Sequence, residues 1–384
     1  MSDSFTETTS EGWLGRIGSS IKGVLIGLIM IVAAFPVLFW NEGRAVKTRK
    51  DLDQGSKEFV SLESTEVNAA NEGKLVHLTG MTVAEGERKD SEFNVSAEGL
   101  VLKRKVEMFQ WHEDVDSKSK KKLGGSKETT KTYTYKKAWG EGRIDSSKFN
   151  QANDHVNPSL TLSSQSWTAS PITVGGFTLS ESLVGKINQS TAYPIEKKNK
   201  LPNKIQDRKV KLSGGQIYLA KNPSSPQVGD VRISYQVVKP TEVSIVSKQV
   251  GNSFEPFKGD AGTSINMLQV GKHTGASMFE SAQQSNKVMT WILRVVGFVV
   301  MFLGFSLVFK PFSVLADVLP IAGSIVGVGT GIVAFLLAAP LSLVTIAVAW
   351  IFYRPLIGVP LLLLAGVGIF FLIKKLAAQK KANA

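Results

Sequence analysis

The chain has 384 residues, a net charge of +13 and no cysteine. The absence of thiols excludes disulfide staples, thiolate metal sites and cysteine nucleophiles. The length leaves room for two or three ordinary domains, but the apolar residues are gathered at the two ends around a polar centre.

Ile21 to Trp40 reads IKGVLIGLIMIVAAFPVLFW, with Lys22 as its single charge. A hydrocarbon core of about 30 Å needs about 20 apolar residues, so 21–40 is the first predicted transmembrane helix. It ends in Phe39-Trp40, an interfacial aromatic pair and not a small-residue cleavage site, so it reads as a retained anchor. Residues 1–20 form a tail on the cytoplasmic side. Within it Trp13, Ile17 and Ile21 fall at helical spacing, which suits an interfacial lead-in or a frayed end.

Residues 41–288 form the predicted extracytoplasmic domain, and its signals are mostly of period two. Lys74 to Val83, Gln216 to Leu219, Val231 to Val238 and the run around Val243, Ile245 and Val246 read as strands. Asn222 to Asp230, NPSSPQVGD, is a turn. Leu100–Trp111 and Thr129–Trp139 carry Phe109, Trp111, Tyr133, Tyr135 and Trp139 at odd positions, and pairing about Gly124-Gly125 makes a long hairpin with aromatics on one face. Ser180 caps a short helix, and Ala276–Lys287 is a helix that runs into the next span. The polar stretch 195–211 is a candidate boundary. The fold expected is mainly antiparallel, β-rich α+β.

The C-terminal apolar block divides into spans at 289–310, 318–353 and 355–373, followed by a tail at 374–384. The second of these is interrupted by Pro320 and Pro340 and reads either as one long kinked helix or as a span preceded by a re-entrant piece. Lys374, Lys375, Lys380 and Lys381 favour a cytoplasmic C-terminus. Arg16 and Lys22 favour the same side for the N-terminus, so the number of crossings is even and four are expected. Arg44, Lys47, Arg49 and Lys50 oppose this count, but long domains cross largely regardless of charge.

Residues Asn41 to Lys287 hold 36 Lys and Arg against 28 Asp and Glu. Their basic excess thus faces a periplasm, lumen or exterior, where nucleic acid is scarce, and no nucleic-acid partner is expected. The hairpin tip concentrates it: Asp116 to Lys137 reads DSKSKKKLGGSKETTKTYTYKK. Its reading is a solvated, weakly ordered loop, with Lys118, Lys120, Lys121 and Lys122 as candidate contacts to anionic lipid. The sequons at Asn94 and Asn188 matter only in a eukaryotic secretory pathway.

A search for chemistry finds little. His77, His112, His155 and His273 are dispersed, and His112-Glu113-Asp114-Val115-Asp116 lacks calcium-loop spacing. There is no nucleophile elbow, zinc helix or phosphate loop. No catalytic residue, cofactor or metal is expected. In the membrane block, Gly323, Gly327 and Gly331 recur every fourth residue, as do Gly23 and Gly27. Such spacing allows close helix packing within a bundle or between the subunits of a homo-oligomer. Arg294 and Arg354 read as snorkelling cations, and Asp317 as the interfacial partner of Lys310.

FWNEGRAV (39–46), KLVHLTG (74–80), VEMFQWHE (106–113), TYTYKKAW (132–139), NPS (157–159), GDVRISY (229–235) and FYRPL (352–356) together resemble the LUMA family of multi-pass membrane proteins (the transmembrane protein 43 family). The resemblance implies four transmembrane helices, a large extracytoplasmic domain between the first and second, and both termini in the cytoplasm. It also implies a role in organising membrane-protein complexes, with no catalytic residue to carry over. Eukaryotic members sit in the endoplasmic reticulum and inner nuclear membrane and have lamina-associated partners; a prokaryotic member would sit in the inner membrane. The lysine-rich insert at 118–127 departs from the more acidic hairpin of animal members. The function expected is a non-enzymatic scaffold for membrane proteins or lipids. A transporter or channel subunit is the alternative, and an extracytoplasmic hydrolase the third.

Overall fold

The computed structural model describes residues 3–63, 65–196, 199–360 and 363. Helix α1 (Trp13–Glu58) does not stop at Trp40 but continues for more than four further turns. The extension is built from good helix formers, and its Ala45, Val46, Leu52 and Gly55 are buried, so one face has a core to pack on. At 1.5 Å per residue the helix is about 69 Å long, more than twice the thickness of the hydrocarbon.

The strands that follow are β2 (Val60–Ser61), β3 (Leu75–Val83), β4 (Glu87–Asp90), β5 (Val95–Glu98), β6 (Val101–Lys121) and β7 (Lys127–Glu141), and a single helical turn, α2 (Glu181–Val184), comes later. The last two helices are α3 (Gly275–Ala316) and α4 (Pro320–Tyr353). Thr274 caps α3 by accepting from the Ser277 amide at 3.2 Å. The helix runs through Pro311 instead of ending at Lys310. The stretch 318–353 is one helix from Pro320 onward, with Pro340 inside it and no re-entrant piece. Pro320 fits its first turn, where an amide hydrogen would have no partner. Residues 355–360 are helical; most of the expected fourth span, and the tail at 374–384, lie outside the described residues.

Among the described residues three helices are long and apolar enough to cross a membrane. Helices α1 and α3 run antiparallel, with backbones meeting at Gly27 and Gly304: a Cβ on Gly27 would lie 2.6 Å from the Gly304 carbonyl oxygen. Helix α4 runs parallel to α1, and Ala34, Leu38, Met301 and Ala338 pack between the three.

The β domain contains two main antiparallel sheets. In one, β7, β6 and strands 231–238, 216–219 and 211–213 lie in order. In the other, β3 pairs with strand 242–250, which in turn pairs with 267–270 and 253–255. Strand β6 is covered on both faces where it starts. Val101 enters the core of Val76, Phe177 and Ile245, while Leu102 enters that of Phe93, Ile217 and Ile233. Because side chains alternate across a strand, two cores produce the unbroken apolar run Leu100-Val101-Leu102. Ile195 and Ile205 are buried in the second core, so 195–211 is not a boundary.

The β6–β7 hairpin pairs Phe109 with Trp139 and Val115 with Tyr133, a register centred on Gly124. It is longer than expected, and pairing persists to Lys121 and Lys127. Residues 3–11, expected as part of a tail, form strand β1 (Asp3–Glu11), which pairs along β7 from Asp3 opposite Tyr135 to Glu11 opposite Lys127. The result is a three-stranded polar ribbon.

The helix crossing gives a direct test. Gly27→Ala forces a methyl against backbone, and overpacking of this kind costs about 1–3 kcal/mol; Gly23→Ala meets only Leu307 at 3.8 Å and should be neutral. Thermal unfolding in mild detergent, followed by size-exclusion recovery, should separate the two variants.

Candidate functional site: a polar junction between the helix bundle and the β domain

The stretch Asn41-Glu42-Gly43-Arg44 lies where α1 leaves its apolar run. Glu42 is fully buried, and a carboxylate out of water needs a charged, hydrogen-bonded partner. Arg294 of α3 supplies it with two bonds, Nε to Oε1 at 2.6 Å and Nη2 to Oε2 at 2.9 Å. Trp350 of α4 donates from Nε1 to Oε2 at 2.8 Å. The Arg294 guanidinium also lies over the Trp291 ring, 4.7 Å from its centroid.

One turn of α1 makes further ties. Asn41 donates to the Thr290 carbonyl at 3.0 Å, and Asn286 donates to the Ala45 carbonyl at 2.9 Å. Arg44 donates to Asn286 Oδ1 and Thr290 Oγ1, each at 3.1 Å. Its Nε is buried with no partner among the described residues. Gly43 admits the Tyr353 ring, which a Cβ would approach to 2.5 Å. Phe39 packs on Phe352 and Tyr353 with centroids 5.6 and 5.3 Å away. FWNEGRAV and FYRPL, more than 300 positions apart in the sequence, therefore meet in one place. Arg294 does not snorkel; it closes a buried ion pair.

A second meeting point lies at the base of the ribbon. Glu107 accepts from Arg232 at 2.8 and 3.0 Å and from Lys105 at 3.0 Å. Burial pushes its pKa up, but these bonds outweigh burial and hold it below the ordinary value. Arg232 stacks over Trp139, and Trp139 packs edge-on against Phe109. Asn157 bonds both the amide and the carbonyl of Trp111, at 2.8 and 3.0 Å. The quoted segments at 106–113, 132–139, 157–159 and 229–235 are thus one assembly.

The histidines are separate. His77 Nε2 is 2.9 Å from the His273 carbonyl and Nδ1 is 3.2 Å from Ser61 Oγ, with no carboxylate on either nitrogen. His155 stacks on Tyr135 with centroids 3.7 Å apart and reaches Asp3 at 2.9 Å. Burial, then the bond to Glu113, pushes the Tyr135 hydroxyl up to about 12. Among the described residues no group of three or more His, Asp or Glu side chains could hold a metal. Arg104 was not singled out in the sequence, yet it is buried between Phe93 and Trp167 and bonds Asp90 at 2.8 Å and Glu92 at 2.7 Å.

The singled-out glycines divide. Gly23 and Gly27 face α3, and a Cβ on Gly323 would strike Asp317. A Cβ on Gly327 would lie 3.1 Å from Ser313 Oγ, whereas one on Gly331 would meet nothing within 4 Å among the described residues. The lysines divide too. Lys118 pairs with Asp116 at 3.4 Å, Lys122 pairs with Glu128, and Lys120 lies exposed opposite Glu128 in the register. Lys121 reaches Asp317 at 2.6 Å, and Asp317 also pairs with Arg16, not with Lys310.

In the docked arrangement the tip is a tight turn. Gly124 and Gly125 have φ of 81° and 78°, and Gly124 donates to the Val318 carbonyl at 3.0 Å. This docking has a physical condition. A bilayer across 21–40 separates Trp13 from Trp40, and a polar ribbon cannot pass through hydrocarbon. Tip docking, and with it the pairing of β1 along β7, and a spanning α1 exclude one another.

Fold and junction together define a multi-pass membrane protein whose apolar helix bundle carries an antiparallel-sheet domain on one end. The profile of the family described as Transmembrane protein 43 matches residues 108–355. The chain is 31% identical to mouse Transmembrane protein 43 over 365 residues, covering 91% of this chain and 89% of the mouse protein. It is 31% identical to the human protein over 378 residues, covering 94% and 92%, and 29% identical to a Drosophila melanogaster homolog over 351 residues, covering 88% and 91%. The chain belongs to the transmembrane protein 43 family, which is the LUMA family. No solved structure matches it.

Two measurements test the site. Glu42→Leu should destabilise the protein by about 3–5 kcal/mol, because Arg294 is left as an uncompensated buried charge; Glu42→Leu with Arg294→Leu should recover much of the loss. A thermal-melt double-mutant cycle reads the coupling directly. The second concerns pH. Burial lowers the His77 pKa, outweighing the bond to the His273 carbonyl, which raises it. The unfolded chain then takes up this proton first, so the His77 contribution is full above the ordinary histidine value and is lost as pH falls through it toward the folded value. His77→Gln should flatten the decline in stability between about pH 7.5 and 5.5, a window set by the ordinary histidine pKa of ~6.5.

Proposed function

We propose that the protein is a non-enzymatic membrane scaffold that holds its β domain rigidly against the membrane to organise membrane-protein complexes or lipids. The observation that carries this reading is the polar junction. Glu42, Arg294 and Trp350 tie the three helices to each other, and the unbroken α1 carries that tie into the β domain. The channel reading finds less support. Ala34, Leu38, Met301 and Ala338 fill the middle of the bundle, whereas a transport path needs polar or ionisable groups at mid-depth facing a cavity. Affinity purification of cross-linked protein from native membranes should recover a reproducible set of membrane proteins or lipids. Ion or solute flux through the purified protein in liposomes would overturn the scaffold reading.

We further propose that the β domain lies outside the cytoplasm and that both termini lie inside. Helices α1 and α4 run parallel and α3 opposes them, so a fourth crossing over 355–373 returns the chain to the side of Trp13. The ribbon tip is then free of Arg16 and Asp317 in a bilayer. Trp13→Cys combined with Gly125→Cys, which lie against each other when the tip is docked, should not cross-link in sealed membranes, and a cross-link there would overturn this topology. Protease added from outside should cut the β domain and spare both tails.

The protein is proposed to act as a homo-oligomer through the open Gly331 face of α4. Gly331→Leu should shift the detergent-solubilised particle to smaller mass with the β domain folded. Gly327→Leu, against Ser313 of its own chain, should lower stability instead.

A further inference from the structure

Two cavities lie against one another where α1 and α4 meet the β domain. The lower, of about 650 Å³, is an apolar groove walled by Phe35, Pro36, Phe39, Val344 and Val348. The upper, of about 430 Å³, is polar and basic, with Arg44, Lys47 and Thr48 of α1 facing Thr263 and Ser264 of the loop above. Trp40 and Tyr353 line both, so the two adjoin across an aromatic pair of the kind that marks the headgroup level.

The charges in the upper cavity favour an anion. Arg44 and Lys47 stand one turn apart on α1, and Lys47 is exposed with no ion pair among the described residues. The Nε of Arg44 is buried without an acceptor among the described residues. The nearest carboxylates on the packed elements are already engaged: Glu42 by Arg294 and Trp350, and Asp51 by the amides of Ala261 and Thr263 at 2.7 and 2.6 Å. Asp260 on the same loop is exposed and does not line the cavity.

We propose that this composite cavity binds one anionic glycerophospholipid from the leaflet on the side of the β domain. An acyl chain fills the groove between α1 and α4, and the phosphate sits between Arg44, Lys47 and the hydroxyls of Thr263 and Ser264. A free phosphate shares the upper chemistry but makes no use of the groove. The site rests on α1 and α4 spanning the membrane and is independent of any scaffold role.

Full-length protein in nanodiscs of phosphatidylcholine containing a minor share of phosphatidylglycerol tests it, with retained lipid read by native mass spectrometry after release. The wild type should retain about one phosphatidylglycerol in preference to phosphatidylcholine, as one composite cavity requires. Lys47→Glu, which touches none of the junction bonds, should cut that preference by roughly fivefold or more, the worth of one basic residue at an anionic surface. Val348→Trp, which fills the groove, should also abolish retention while thermal stability stays within normal range. Retention that ignores charge, or that survives both variants, would overturn the proposal. So would inorganic phosphate competing fully while Val348→Trp has no effect, since the site would then belong to a free anion.

Discussion

The burial of the Glu42 carboxylate constrains everything else in the molecule. Groups from both other helices reach it, Arg294 from α3 and Trp350 from α4, and both bond Oε2. A bidentate pair fixes orientation as well as distance, so satisfying one carboxylate sets the rotation and depth of three helices together. Because α1 is unbroken to Glu58, the same registration reaches the β domain. Two turns further on, Asp51 accepts from the amides of Ala261 and Thr263, and Leu52 enters the cluster of Leu75, Ile265 and Phe279. The helix acts as a ruler between membrane and domain.

Much of the β domain was legible in its sequence because its physics is local. Strand alternation marked β3 and strand 231–238, and the pair of glycines at 124–125 set the hairpin register that the odd-numbered aromatics require. The junction was not legible. Asn41, Glu42 and Arg44 read as an ordinary polar flank after an aromatic belt, since their partners Asn286, Arg294 and Trp350 stand 242 to 308 positions away. The one available signal was an acid placed directly against an apolar run, where an unpaired charge is expensive. Strand β1 escaped for the opposite reason: DSFTETTSE has little apolar alternation, and its pairing depends on an edge of β7 already formed. The expected pairing of Asp317 with Lys310 failed because sequence proximity at a helix end does not fix direction. Asp317 caps the α3–α4 turn and faces α1.

The ribbon and the bilayer compete for the same molecule, and their magnitudes are unequal. Docking of the tip rests on the pairing of β1 along β7 and on a few polar contacts, those of Lys121 and Arg16 with Asp317 and of Arg16 with the Gly125 carbonyl. Insertion removes from water side chains such as Leu25, Ile29 and Val32, which are 66 to 68% exposed here, and every buried aliphatic side chain contributes roughly 1.5–3 kcal/mol. Over three apolar helices the membrane wins by a wide margin.

The Arg16–Asp317 pair, which the ribbon tip also bonds through Gly125 and Lys121, joins parts of the helix bundle itself. Both residues belong to the same end of the helix bundle, Arg16 near the start of α1 and Asp317 in the turn between α3 and α4. Glu42 and Arg294 close the other end. From Arg16 to Glu42 is about 39 Å at 1.5 Å per residue, close to the 40–45 Å that separates the two headgroup regions of a bilayer. Between these levels the bundle carries apolar packing around Ala34, Leu38 and Met301. Each end thus pairs its charges at a depth where the chain passes from lipid to water, and both pairs join α1 to the α3–α4 hairpin. Neither pair has to be carried through hydrocarbon, and a vertical slip of α1 by one turn would break both at once. Charge pairing at the two ends therefore fixes how deep the bundle sits, a property that apolar packing alone, sliding freely against lipid, cannot specify.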